Sequence, residues 1–115
     1  MYVCAGVEQI PPSWLAALRP GMRLLFPLVP YGEEGGLLLV RHVGADSALS
    51  AAFLCPARFV PCIGAEHDAG ARERLVSAFR AGTRERVRSL RRPPQAPDDS
   101  CWYAGQGWWL SMRAV

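Results

Sequence analysis

Four cysteines and two histidines are the side chains of this 115-residue chain best suited to metal ligation or nucleophilic chemistry. Their spacing supports neither. Cys4, Cys55, Cys62 and Cys101 contain no C-x-x-C pair, and the two nearest, Cys55 and Cys62, are too far apart for a zinc knuckle. His42 falls within an apolar strand pattern and His67 within a loop, with no second ligand beside either, so no metal site is expected. No Ser–His–acid or Cys–His arrangement is suggested, and the carboxylates form no evident hydrolytic pair. The cysteines read as reduced, structural thiols of a reducing compartment, with Cys4 in "YVCA" behaving as a small buried hydrophobe. Spacing alone nominates no catalytic residue.

The charged residues offer one further pattern. All 13 basic residues are arginine and the net charge is +3. With Lys and Asn absent and Ala, Gly and Pro abundant, that choice reads as the coding bias of a GC-rich bacterial genome. Eight arginines lie between residues 72 and 92, against only Glu73 and Glu85. On one continuous helix most would share an arc of roughly 120°, a stripe able to meet nucleic acid or an acidic protein. Charged helix faces are usually just solvated, so nucleic acid is the less favoured partner. Glu33 and Glu34, in the Gly-dense stretch "YGEEGG", read as a solvated loop.

The elements that must position these residues follow from the apolar pattern. "YVCA", residues 2–5, reads as a buried strand. Pro11 and Pro12 open a short helix with Trp14, Leu15 and Leu18 on its apolar face, and Arg19-Pro20-Gly21 stops it. "RLLFPL", residues 23–28, is a strand. Strand, helix and strand in that order form a right-handed crossover, so the first strand is expected parallel to the second. The loop after residue 28 is too short for another crossover, which makes "LLLVRHV" antiparallel to its predecessor. "ALSAAFL" is a fourth strand, and "ARFVPC" either continues it past Pro56 or forms a fifth. The unbroken apolar run Leu37–Val40 calls for cover on both faces. From Asp68, a possible N-cap, to about Arg92 the pattern predicts helix, with Leu75, Val76, Phe79, Val87 and Leu90 on one side and a bend at Gly82-Thr83. "RPPQAPDD" is a connector, and the tail that follows holds three of the four tryptophans in a hairpin or final strand.

"VCAGVEQIPPSWLAALRPGMRLLFPL" resembles the second half of class I S-adenosylmethionine-dependent methyltransferases, and within them the protein-L-isoaspartate O-methyltransferase family. The marks are a strand ending in the small residues Cys4-Ala5-Gly6, then Ile10-Pro11, an L-x-P-G turn at Leu18, Pro20 and Gly21, and a strand closing on Pro27. "ARFVPCIG", residues 57–64, is similar to that family's C-terminal strand motif. Met22 stands where a second glycine commonly follows, which implies an altered turn.

The resemblance implies an α/β fold: the later strands of a partial Rossmann-like methyltransferase sheet, mixed parallel and antiparallel, with a C-terminal Arg-rich helix and a Trp-rich final strand. Residues 1–64 would form the methyltransferase-like part, 65–92 the Arg-rich helix, and 93–115 the connector and terminal strand. It also implies S-adenosylmethionine as cofactor and an isoaspartate-bearing protein or peptide as substrate. Cys4, Ala5 and Gly6 would line the cofactor cleft, Ile10 and Pro11 its rim, and Phe59, Val60 and Pro61 would lie toward the peptide. For each, a plain packing role is an equal alternative. The family's Gly-rich cofactor loop and ribose-binding acid belong to a half that this sequence does not contain.

The expectation is therefore a truncated unit, inactive alone. Its exposed first-strand edge would pair with a second copy or with a complementing chain. A non-enzymatic interaction module is the alternative. No apolar run approaches the ~20 residues that span a bilayer, and no signal peptide is evident, so a cytoplasmic location is expected.

Overall fold

The computed structural model describes residues 6–30, 32–43, 49–58 and 69–115. Two helices, α1 (Pro12–Ala16) and α2 (Ala69–Arg80), accompany six strands. These are β1 (Arg23–Leu28), β2 (Gly35–His42), β3 (Leu49–Ala57), β4 (Ser89–Arg91), β5 (Cys101–Ala104) and β6 (Trp109–Ser111). They form one sheet in the order β1-β2-β3-β4-β6-β5.

Every pair of neighbours in that sheet is antiparallel, which corrects the expected mixed sheet. Short connections force this in β1–β2–β3, where no crossover helix fits between strands. The remaining strands add through β4 and a tight β5–β6 hairpin. A parallel contact, Val7 with Leu28, lies outside the named strands. Val7 N donates to Pro27 O at 3.0 Å, and Val29 N donates to Val7 O at 2.9 Å. Pro27 is tolerated in β1 because its missing N–H falls on this outer edge, away from the β2 ladder. The strand expected over residues 2–5 lies outside the described residues.

β1, β2 and β3 follow the alternation of a half-buried sheet. Leu24, Phe26 and Leu28 of β1 are fully buried, as are Leu38 and Val40 of β2, while Leu37 and Leu39 are half-buried on the opposite face. A bulge at Leu37/Leu38 sets Leu54 as the extra residue of β3, and the strand then runs on through Pro56 to Ala57. Trp14 of α1 meets Phe26 edge to face at 5.7 Å. The turn after α1 closes with Met22 N donating to Arg19 O at 2.9 Å, and Gly21 takes φ +87°. Pro20 and Gly21 thus hold the two central positions of a type II turn, and Met22, at its fourth position, needs no special backbone.

The second correction concerns residues 81–92. Helix α2 stops at Arg80, Gly82 adopts φ +77°, a single 3-10 turn spans Arg84–Arg86, and β4 begins at Ser89. Val87 and Leu90 are buried as the sequence pattern requires, but in extended chain instead of on a helix face. A spacing of three serves either geometry. What decides is β4's position between β3 and β6, where its backbone groups are paired on both sides.

One core joins these parts. Ile10, Leu15, Phe26, Val40, Leu75, Val87, Trp108 and Leu110 belong to the same buried cluster. Phe53, Phe79 and Trp102 pack against it with ring centroids 5.1 to 5.4 Å apart, all edge to face. The Trp-rich tail is therefore part of the domain's interior and supplies several tenths of a kcal/mol or more per aromatic pair beyond simple burial, roughly 0.5–1.5 kcal/mol.

Candidate functional site

The segment after the expected first strand, Gly6 to Pro11, is held from three sides. β1 binds its backbone at Val7. Helix α2 holds it through Arg72, whose Nε donates to Glu8 Oε2 at 2.9 Å; the Glu8 side chain is only 10% exposed. The β5–β6 turn holds it through Gln9, whose Nε2 donates to Gln106 O at 2.9 Å while Gln106 N donates to Gln9 Oε1 at 3.1 Å. One side-chain amide thus pairs with both backbone groups of a single residue. Gly105, next in that turn, lies so near Trp108 that a Cβ there would sit 2.3 Å from the indole ring. Arg74 from α2 completes the enclosure, donating to Ala104 O at 3.2 Å with its guanidinium 5.8 Å from the Tyr103 ring centre.

Of the residues assigned to the site by resemblance, Gly6 is buried beside β1, Ile10 is fully buried in the core, and Pro11 is half-buried just before α1. Cys4, Ala5, Phe59, Val60 and Pro61 lie outside the described residues. The contacts of Glu8 and Gln9 went unnoticed in the sequence. Their partners stand 64 and 97 residues away, and no local signal links them.

The arginine stripe does not exist as a helix face. Arg80 pairs with Glu33 at 3.4 Å and Arg84 with Glu34 at 3.6 Å, while Arg84 Nη1 also donates to Gly35 O at 3.0 Å. Arg58 reaches Glu34 at 3.8 Å. The Gly-dense β1–β2 turn, read as a solvated loop, is exposed at Gly32, Glu33 and Glu34, and its carboxylates also pair with Arg80 at the end of α2 and with Arg84 beyond it. Arg91 belongs to β4, an interior strand separated from β1 by β2 and β3.

No group of three or more potential metal ligands occurs among the described residues. Cys55 is exposed, and Cys101 is half-buried, its thiol pushed up by burial and then by the nearby Asp98 carboxylate. Asp98 is held below the ordinary carboxylate range by the Ser100 hydroxyl and then the Ser100 backbone N–H, with a smaller contribution from Arg113. No helix among the described residues is long and apolar enough to cross a membrane.

Fold and site together define an α/β protein with an antiparallel six-stranded sheet and an enclosed segment at one edge. Comparison with known proteins is informative for part of the chain. It is 40% identical over 65 residues to Protein-L-isoaspartate O-methyltransferase 1 of Anaeromyxobacter sp. (strain Fw109-5), a match covering 55% of this chain and 29% of that protein. The chain thus spans less than a third of the curated relative it matches. No protein-family profile and no solved structure matches.

S-adenosylmethionine, implied by the resemblance, can be tested against the residues present. A ribose is commonly held by an acidic side chain at a strand end. The carboxylate nearest such a position, Glu8, is engaged by Arg72, and Glu33 and Glu34 are engaged by Arg80, Arg84 and Arg58. These three carboxylates, among the described residues, are thus already engaged by arginine.

Proposed function

We propose that this chain carries the acceptor side of a methyltransferase of the protein-L-isoaspartate type, in which a methyl group passes from S-adenosylmethionine to a protein carboxylate. Apart from Gly6, the donor contacts lie outside the described residues. Cys4, Ala5 and Gly6 line the cleft, Ile10 and Pro11 form its rim, and Phe59, Val60 and Pro61 face the peptide. The observation that carries the reading is the 40% identity over 65 residues to an isoaspartate methyltransferase. The parallel contact of Val7 with Leu28 supports it, because it sets the chain that follows Gly6 beside the end of β1.

The chemistry asks little acid–base help of these residues, since the acceptor carboxylate is already ionised at neutral pH. Their work is to position that carboxylate and exclude water from it. Burial of Gly6 and Ile10, and the fastening of Glu8 and Gln9, make the segment rigid enough for such positioning.

The test is a pair of peptides identical except for one isoaspartyl linkage, titrated calorimetrically against the chain. Preferential binding of the isoaspartyl peptide is expected; equal binding of both removes the reading. Titration with S-adenosylmethionine should give no micromolar binding, and such binding would overturn the assignment of donor contacts elsewhere.

A further inference from the structure

The loop from β1 to β2 sets out beside the segment assigned to the acceptor cleft. Val29, the first residue beyond β1, donates to Val7 O at 2.9 Å, and Val7 follows Gly6 directly. The turn in that loop, residues 32–34, is exposed, yet its two carboxylates are met by arginines from elsewhere in the fold. Arg80, the last residue of α2, lies 3.4 Å from Glu33. Arg84, on the 3-10 turn, lies 3.6 Å from Glu34 Oε1, and Arg58, just past β3, lies 3.8 Å from Glu34 Oε2. Arg84 Nη1 also donates to Gly35 O at 3.0 Å.

The turn and α2 do not close on each other. A hollow of about 340 Å³ is lined by Glu33 and Glu34 on the turn, by Phe79 and Arg80 on α2, and by Arg84 and Glu85 beyond it. The Arg80 and Arg84 pairs bridge that hollow. Their carboxylate side chains are 47% and 46% exposed, and exposed pairs are individually weak and screened by salt. A turn tied down by several such bonds is held conditionally.

We propose that the β1–β2 turn is a salt-released wall of the acceptor cleft. With Glu33 and Glu34 engaged by Arg58, Arg80 and Arg84, it stands fixed beside residues 6–11. With them released, it moves off and the cleft loses one side. The role in the cleft rests on the methyl-transfer reading; the ionic latch does not.

The test is nitrogen-15 relaxation of the whole chain at about 20 mM and about 500 mM sodium chloride, where the screening length is roughly 20 Å and roughly 4 Å. Backbone order parameters at positions 33 and 34 should stand near about 0.85 at low salt and fall toward about 0.6 at high salt. In the double variant Glu33→Gln, Glu34→Gln they should be low at both. Arg86→Gln removes a charge from an exposed position on the 3-10 turn and should behave as the parent does. The isoaspartyl peptide and its ordinary counterpart are then titrated against the same proteins at low salt. The double variant should bind the isoaspartyl peptide about fivefold more weakly than the parent, because the fraction of chains holding the wall in place falls by that factor, while the ordinary peptide is unaffected. Order parameters that respond to neither salt nor the double substitution end the proposal. So does a turn that loosens while isoaspartyl binding stays the same. A parent chain that binds both peptides equally removes the methyl-transfer reading and with it the role in the cleft, and the relaxation data then decide the latch by themselves.

Discussion

Replacing Gly82 with alanine distinguishes the structure from the continuous helix that residues 69–92 suggest in sequence, because the two predict opposite signs. Inside a helix, Gly→Ala stabilises by about 0.8–1.0 kcal/mol. In the structure Gly82 has φ +77°, and a Cβ there would meet nothing within 4 Å. The whole effect is therefore backbone conformation, uncomplicated by a clash. A left-handed conformation costs a non-glycine residue roughly 1–2 kcal/mol. Against this, alanine lowers the entropy of the unfolded chain, a gain of about 0.4–1 kcal/mol. The expected result is a net destabilisation of about 0.5–1 kcal/mol, or a fall in melting temperature of about 2–8 °C for a domain of this size. Urea unfolding followed by tryptophan emission measures it, with the midpoint shifting at unchanged slope. A Gly82→Ala protein more stable than its parent would refute both the turn and the strand that follows it.

Three other substitutions probe the way distant segments are held together. Gly105→Ala forces a Cβ to within 2.3 Å of the Trp108 indole and should cost about 1–3 kcal/mol with a change in tryptophan emission; an unchanged midpoint would mean that the hairpin turn is not packed on that ring. Glu8→Gln and Arg72→Gln break an ion pair whose carboxylate side chain is 10% exposed, and a double-mutant cycle should give a coupling of about 1 kcal/mol or more, against nearly zero for an unlinked pair. Asp98 is held below its ordinary value of 3.8, so the folded state favours its ionised form. Its contribution is complete above that ordinary value and disappears as pH falls through the lower folded value. Asp98→Asn should therefore flatten the acid limb of the stability–pH curve below about pH 4.

Periodicity and turn chemistry alone determined β1, β2, the first part of β3 and the stop of α1 at Pro20-Gly21, and narrowed the Trp-rich tail to a hairpin or a final strand. Each rests on residues adjacent in the chain, where a side-chain period or a proline's fixed φ acts directly. Helix α2 was legible as far as Arg80 for the same reason. Beyond it, Val87 and Leu90 satisfy a helix face and a buried extended strand equally well. Only the open slot between β3 and β6 selects the strand. Tertiary structure also decided the fate of the charges. Arginines that share an arc on an ideal wheel are divided between Glu8, Glu33, Glu34 and, for Arg91, the neutral acceptors Ser89, Gln95 and Ala114. Likewise, Gln9 finds the backbone of Gln106 across 97 residues. Pairings of this kind depend on where the chain returns in space. Local sequence does not encode that return; it comes from burying one common core.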